Sequence, residues 1–224
     1  DAPSATVTPG LVSEGAARTI DNSMLQASDA DDAVSSLTLT VSALPAHGSL
    51  ALRGIALQVG DSFNQADIDQ GDLVYQHNGG EDTLDQFWFT VSDGRATSAP
   101  VALTLQITPV NDVPVIQITQ PFYTAQEQQA LNLHGTGISV SDADANTGDV
   151  EVRVSVVSGT LSVLTGASGV QATQTANNSI TLVGTIARIN DLLAGVNGAA
   201  WVYNAASDAP PVSDTLTPVS YTHL

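Results

Sequence analysis

Apolar and polar residues alternate in short runs along most of the chain, the period of half-buried β-strands. Leu37, Leu39 and Val41 mark one such run, and Val101, Leu103, Leu105 and Ile107 another. Asp85–Val91 is the strongest strand signal, and Leu11–Gly15, Ser49–Leu52 and Leu73–Tyr75 are shorter ones. Only two stretches break toward a helix. Phe63–Ile68 predicts one or two turns, with Ser62 as cap, Gln65 at the capping-box position and Gly71 as stop. Thr185–Leu193 predicts the second, with Ile186, Ile189 and Leu193 on one face and Gly195 at its end. About seven short strands and one helical turn in the first half predict an antiparallel sandwich.

Pro109-Val110-Asn111-Asp112-Val113-Pro114 interrupts this pattern near the middle. Each proline fixes φ and lacks an N–H, so neither suits a paired strand interior. The segment should be extended and stiff, with an amide and a carboxylate at its centre. Asp1-Ala2-Pro3 aligns with Asp112-Val113-Pro114, as if the chain were cut at such a linker.

Beyond the linker the plan repeats. Glu14 and Asp29 recur as Glu127 and Asp142 at an offset of 113, and Ser28-Asp29-Ala30-Asp31 recurs as Ser141-Asp142-Ala143-Asp144. Leu73-Val74-Tyr75 corresponds to Trp201-Val202-Tyr203, and Asp85 to Asp214, where the offset has grown to 128 or 129. The extra residues belong in a hairpin around Gly166–Asn177. After Leu216 the strand pattern is expected to fail, so residues 113–217 read as an incomplete second repeat and 218–224 as a non-native tail. The predicted fold is all-β: two tandem immunoglobulin/cadherin-like sandwiches, residues 1–112 and 113–217, each with one short helical turn.

Charge narrows the function. Five Lys+Arg stand against 23 Asp+Glu, a formal net charge of -18. That balance excludes nucleic acid and anionic membrane surfaces as partners and favours cations. The absence of cysteine removes disulfides and thiolate metal sites. No apolar run is long enough to span a bilayer, and no secretion signal opens the chain, so any such signal is expected outside this stretch. Aromatics are only 4% of residues, so Trp88 and Trp201 are expected in the core, and His47 and His77 in turns. No nucleophile elbow or nucleotide-binding fingerprint occurs, and paired carboxylates lack the aromatic platforms of a glycosidase cleft, so no enzymatic activity is expected.

Ser28–Asp32, Pro45-Ala46-His47-Gly48, Phe63–Ile68, Tyr75, Asp85-Gln86-Phe87 with Ser92-Asp93-Gly94, and Pro109–Asp112 occur in the order seen in cadherin-like repeats of the chondroitin-sulfate-proteoglycan type. Residues 1–116 resemble one such repeat, and 117–217 resemble the cadherin-like repeats of giant bacterial adhesins. The resemblance implies sandwiches in series, calcium at the joints, adhesion, and an extracellular or cell-surface location. The cysteine-free, Thr/Val/Ala/Asp-rich composition suits a bacterial member.

Calcium takes six to eight oxygen ligands, and residues i and i+2 of an extended segment point the same way. The expected inter-repeat calcium set is Glu14, Asn111, Asp112, Asp142 and Asp144, with Asp85 as a further member. Asp29, Asp31 and Asp93 form the expected N-terminal half-site. A lone Asp-Ala-Asp is more often a turn that bonds its own backbone; two copies, each fifteen residues after a glutamate, favour ligands. An EF-hand loop starting at Asp142 fails, because Gly148 falls at its seventh position and Arg153 at its twelfth. The expected role is a calcium-stiffened spacer whose partners are neighbouring repeats of the same chain and a cell-surface protein or glycan. A glycan- or protein-binding module, or an accessory domain of an extracellular hydrolase or toxin, are the alternatives.

Overall fold

The computed structural model describes residues 1–145, 147–205 and 213–222, with Thr222 described by its backbone only. Two compact units divide after Val110. Asn146 and the last two tail residues lie outside the described residues.

The first unit runs β1 (Ser4–Val7), β2 (Gly10–Ser13), β3 (Ala17–Thr19), β4 (Leu25–Ser28), β5 (Thr38–Ala43), β6 (Gly48–Leu52), β7 (Ile55–Ala56), β8 (Ser62–Phe63), α1 (Gln65–Asp69), β9 (Leu73–His77), β10 (Leu84–Ser92) and β11 (Val101–Thr108). One sheet has the order β2-β11-β10-β5-β8 and another β3-β9-β6-β7, with β1 and β4 as a separate pair. The predicted alternation places Leu39 and Val41 of β5, Phe87, Phe89 and Val91 of β10 and Leu103 and Leu105 of β11 on the buried face. Phe63 and Phe87 each meet Phe89 in tilted ring contacts, at centroid distances of 6.3 and 6.0 Å, and with Tyr75 and Met24 they complete a core otherwise built from aliphatic side chains. The ladder is not wholly antiparallel as predicted. β2 runs parallel to β11, with Leu105 opposite Gly10.

The second unit runs β12 (Val115–Ile118), β13 (Ala130–Asn132), β14 (Ile138–Ser141), β15 (Asp149–Val156), β16 (Thr160–Leu164), β17 (Gln171–Ala176), β18 (Ser179–Thr185), α2 (Ile186–Ala194), β19 (Ala200–Asn204) and β20 (Leu216–Thr222). Its pairings copy the first unit: β12 with β14 as β1 with β4, and β13-β19-β16 as β3-β9-β6. The extra residues form the β17–β18 hairpin, antiparallel with Ala172 opposite Leu182. α2 lies where the periodicity puts it, capped by Thr185 and closed by Gly195 at φ 78°.

Four expectations change. The strand expected to fail after Leu216 continues as β20 and pairs antiparallel with β15, Pro218 opposite Val154. Among the described residues β20 has no second neighbour, and a strand with one open edge tolerates a proline. α1 is capped by Asn64, not Ser62: Asn64 accepts from the Asp67 N–H while Asp67 reaches back to the Asn64 N–H. Trp88 points out of the sheet and is 36% exposed, whereas Trp201 is buried as expected. His77 is a buried strand-end residue, 2% exposed, rather than an open turn.

Candidate metal site

The acidic loop of the first unit follows β4, and α1 fixes that strand. The buried Gln65 side chain accepts from the Ala27 N–H at 2.9 Å and donates to the Leu25 carbonyl at 3.4 Å. Two residues on, Asp29 Oδ1 accepts from the Asp31 and Asp32 N–H groups at 2.7 and 3.0 Å. Its other oxygen, Oδ2, is fully buried and has no hydrogen-bond partner.

The second unit builds the same device from different residues. Asn190 of α2 accepts from the Val140 N–H and donates to the Val140 carbonyl, both at 2.8 Å. Asp142 Oδ1 then accepts from Asp144 N–H at 2.8 Å and Ala145 N–H at 3.0 Å, and Asp142 Oδ2 is again buried without a partner. The sequence pattern assigns Gln65 only a capping position and Asn190 no role. Their signal is a single amide on the inward face of each short helix.

A buried carboxylate oxygen with no donor is costly, the more so when charged. A hard cation is the partner that such an oxygen fits. In the first unit the backbone nitrogen of Asp1 donates to Asp31 Oδ2 at 2.8 Å. Asp93 accepts from the Ala96 and Arg95 N–H groups, and these bonds lower its pKa below 3.8.

The inter-repeat set divides between the units. In the first, Glu14 Oε2 accepts from the Val110 N–H at 3.0 Å, and a carboxylate oxygen of Glu81 lies within 4.8 Å of one of Glu14. Glu81 was missed in the sequence because its loop, between β9 and β10, reads as an ordinary Gly-Gly turn. In the second, the Asp112 N–H donates to Asp144 Oδ2, and Asn111 Nδ2 donates to the Asp112 carbonyl at 2.8 Å. Asn111, Asp112, Asp142 and Asp144 are therefore held as one cluster.

Asp85 has another role. It is 4% exposed. Oδ1 accepts from the Ala46 and Gln86 N–H groups at 2.9 and 2.8 Å, and Oδ2 from His47 N–H at 3.0 Å and the Tyr75 hydroxyl at 2.8 Å. Four donors fill the lone pairs of a carboxylate. Its counterpart Asp214 binds the Val157, Ser158, Gly159 and Thr215 N–H groups and the Tyr203 hydroxyl. Asp85 leaves the ligand set and joins the framework.

Residues 3–108 match the family model described as cadherin-like. That match spans nearly the whole of the first unit, residues 1–110. The chain is similar to human FRAS1-related extracellular matrix protein 1, 34% identical over 114 residues, which are 51% of this chain and 5% of that protein. It is also similar to human chondroitin sulfate proteoglycan 4, 33% identical over 118 residues, covering 48% of this chain and 5% of that one. The chain thus spans a small fraction of the length of the relatives it matches. The crystal structure of human mucin-like protocadherin EC1-2 aligns over 97% of this chain and 96% of its own at 11% identity, with a TM-score of 0.37. The matched residues include both the Asp29 loop and the Glu14–Glu81 pair. Among the described residues no helix is long and apolar enough to cross a membrane.

Proposed function

We propose that this chain is a non-catalytic, calcium-binding segment of tandem repeats from a secreted or cell-surface adhesin, serving as a spacer that calcium stiffens. The observation that carries this reading is the repeated aspartate device. In each unit the first aspartate of Asp-Ala-Asp uses Oδ1 to shape its own loop and keeps Oδ2 buried and unpartnered. In this reading Asp29, Asp31 and Asp93 hold one ion. Each unit offers a further set of calcium ligands: Glu14 and Glu81 in the first, and Asn111, Asp112, Asp142 and Asp144 in the second. Calcium supplies the positive charge that lets these carboxylates lie close together. The relatives are named as extracellular matrix and proteoglycan proteins, which supports an extracellular setting, and composition favours a bacterial source.

Extracellular calcium modules bind at about 10⁻⁴–10⁻³ M. About 10 mM calcium should then stabilise the fold by about 1–3 kcal/mol, a rise of several degrees in melting temperature over an EDTA-treated sample. Scattering should show a narrower distribution of radii with calcium. An unchanged melting temperature and scattering profile would falsify the proposal.

A glycan- or protein-binding module is the second reading, favoured by the exposed Trp88 on the outer face of β10. Loss of ligand binding on Trp88→Ala, with the calcium response intact, would select it.

A further inference from the structure

The imidazole of His77 is buried at the end of β9, yet only one of its nitrogens is used. Nδ1 accepts from the Gly15 N–H at 3.1 Å and from the Gly79 N–H at 3.3 Å. Gly15 follows Glu14 directly, and Gly79 precedes Glu81 by two residues. Both glycines have positive φ, 66° and 82°, a conformation that lets each amide turn inward while the adjoining chain turns out. Two loops that belong to different strands, β2–β3 and β9–β10, are therefore fastened to a single nitrogen. The carboxylates they carry come within 4.8 Å of one another.

Accepting two N–H bonds requires Nδ1 to be unprotonated, so the proton sits on Nε2. Nε2 is buried and has no partner, and an unpaired buried donor is destabilising. An apolar residue of similar size would fill this space without that cost, so packing alone does not account for a histidine here.

The second unit shows that the glutamate turn forms without an imidazole. Glu127 corresponds to Glu14, and Gln128 occupies the place of Gly15 with φ 56°. The turn closes by Gln129 N–H to the Gln126 carbonyl at 3.2 Å, as Ala16 N–H closes on the Ser13 carbonyl at 3.0 Å. Ala205 stands two residues after Tyr203, where His77 stands two after Tyr75. What His77 adds is the link from this turn to the loop of Glu81.

We propose that His77 is a positioning residue for calcium, holding Glu14 and Glu81 at a fixed separation through the Nδ1 bonds to Gly15 and Gly79. This inference rests on the calcium reading above. Side chains that orient metal ligands without touching the ion change metal affinity by about 10–100-fold when removed.

The test is calorimetric titration of the whole chain with calcium alone, alongside melting temperatures in EDTA. Glu81→Gln serves as the reference for losing this site. His77→Leu should weaken that site about tenfold or more, while His77→Asn, whose Oδ1 can accept at the place of Nδ1, should restore affinity to near that of the unmodified chain. Calcium affinity unchanged in His77→Leu, with binding still lost in Glu81→Gln, overturns the positioning role and leaves the calcium reading standing. Absence of calcium binding by the unmodified chain overturns the calcium reading itself. If His77→Leu does not fold, the decision passes to His77→Asn and to the ¹⁵N shifts of His77. Weakened binding in His77→Asn without a change in its EDTA melting temperature, or a protonated Nδ1 in the unmodified chain, overturns the inference.

Discussion

The Tyr75 hydroxyl donates to Asp85 Oδ2 at 2.8 Å, and Tyr203 makes the same bond to Asp214 at 3.0 Å. In each unit this pair ties the start of one strand to the turn before another, through N–H groups at Ala46 and His47 or at Val157, Ser158 and Gly159. Removing the hydroxyl in Tyr75→Phe should cost about 1–3 kcal/mol, because the buried carboxylate loses a donor. Asp85→Ala should cost more, since two turn amides and the hydroxyl lose their acceptor together. Urea unfolding with calcium and with EDTA should give the same loss in both. A loss confined to the calcium sample would return Asp85 to the ligand set.

The tyrosine ring lies against a glycine in both units. A Cβ on Gly48 would fall 2.6 Å from the Tyr75 ring and 2.5 Å from the Gln76 carbonyl oxygen, and one on Gly159 would collide with the Tyr203 ring. Gly48→Ala and Gly159→Ala should therefore each displace the tyrosine and destabilise by about 1–3 kcal/mol. Near-UV circular dichroism should change along with the midpoint of unfolding; a variant with the unmodified midpoint and spectrum would show that the contact yields freely.

The same clamp sets a pH window. Burial acts to raise the pKa of Asp214, but the Gly159, Thr215 and Ser158 amides and the Tyr203 hydroxyl outweigh it and hold the carboxyl below 3.8. A depressed carboxyl stabilises the fold above its unfolded value and loses that contribution as pH falls through the folded value. Burial, then the bond to Asp214, raises the pKa of Tyr203 above 10.0. A raised phenol contributes fully below 10.0 and loses its effect as pH rises through the folded value. The stability difference between the unmodified chain and Asp214→Asn should be flat near neutrality and shrink below about pH 4. A difference that stays constant down to about pH 2 would remove Asp214 from acid unfolding.

Much of this architecture is legible in the sequence because strands with one buried face must alternate. Phe87, Phe89, Leu103 and Leu105 reveal both their strands and their orientation. The acidic loops are legible because Asp29 and Asp142 recur at a constant offset from Glu14 and Glu127. What was not legible depends on partners distant in the chain. Asp85 looks like a ligand until Tyr75 and the Ala46–His47 turn are seen around it. His77 looks like a turn residue until the Gly15 loop closes over it. Pro218 looks like the end of a strand, since sequence does not tell that β20, among the described residues, pairs on one side only. Trp88 follows the alternation outward, where its size alone suggests the core.

The cap of α1 separates sequence expectation from structure in one measurement. Ser62 is the residue that the spacing to Gln65 selects, but its hydroxyl lies 2.9 Å from Thr40 Oγ1 across the β5–β8 pair. Asn64 Oδ1 instead accepts from the Asp67 N–H at 3.0 Å, and Asp67 Oδ2 accepts from the Asn64 N–H at 2.9 Å. The other oxygen of Asp67 meets Arg53 Nη2 at 2.5 Å, so the cap also anchors the β6–β7 turn. Loss of an N-cap side chain costs about 0.5–2 kcal/mol, and here it releases Gln65, which pins the strand leading to Asp29. Asn64→Ala should lower stability by about 1 kcal/mol or more and weaken calcium binding at the Asp29 loop. Ser62→Ala, which breaks only an exposed hydroxyl pair, should change stability by no more than about 0.5 kcal/mol. Equal losses from the two substitutions, measured by urea unfolding, would show that the Asn64–Asp67 box does not hold this end of the domain.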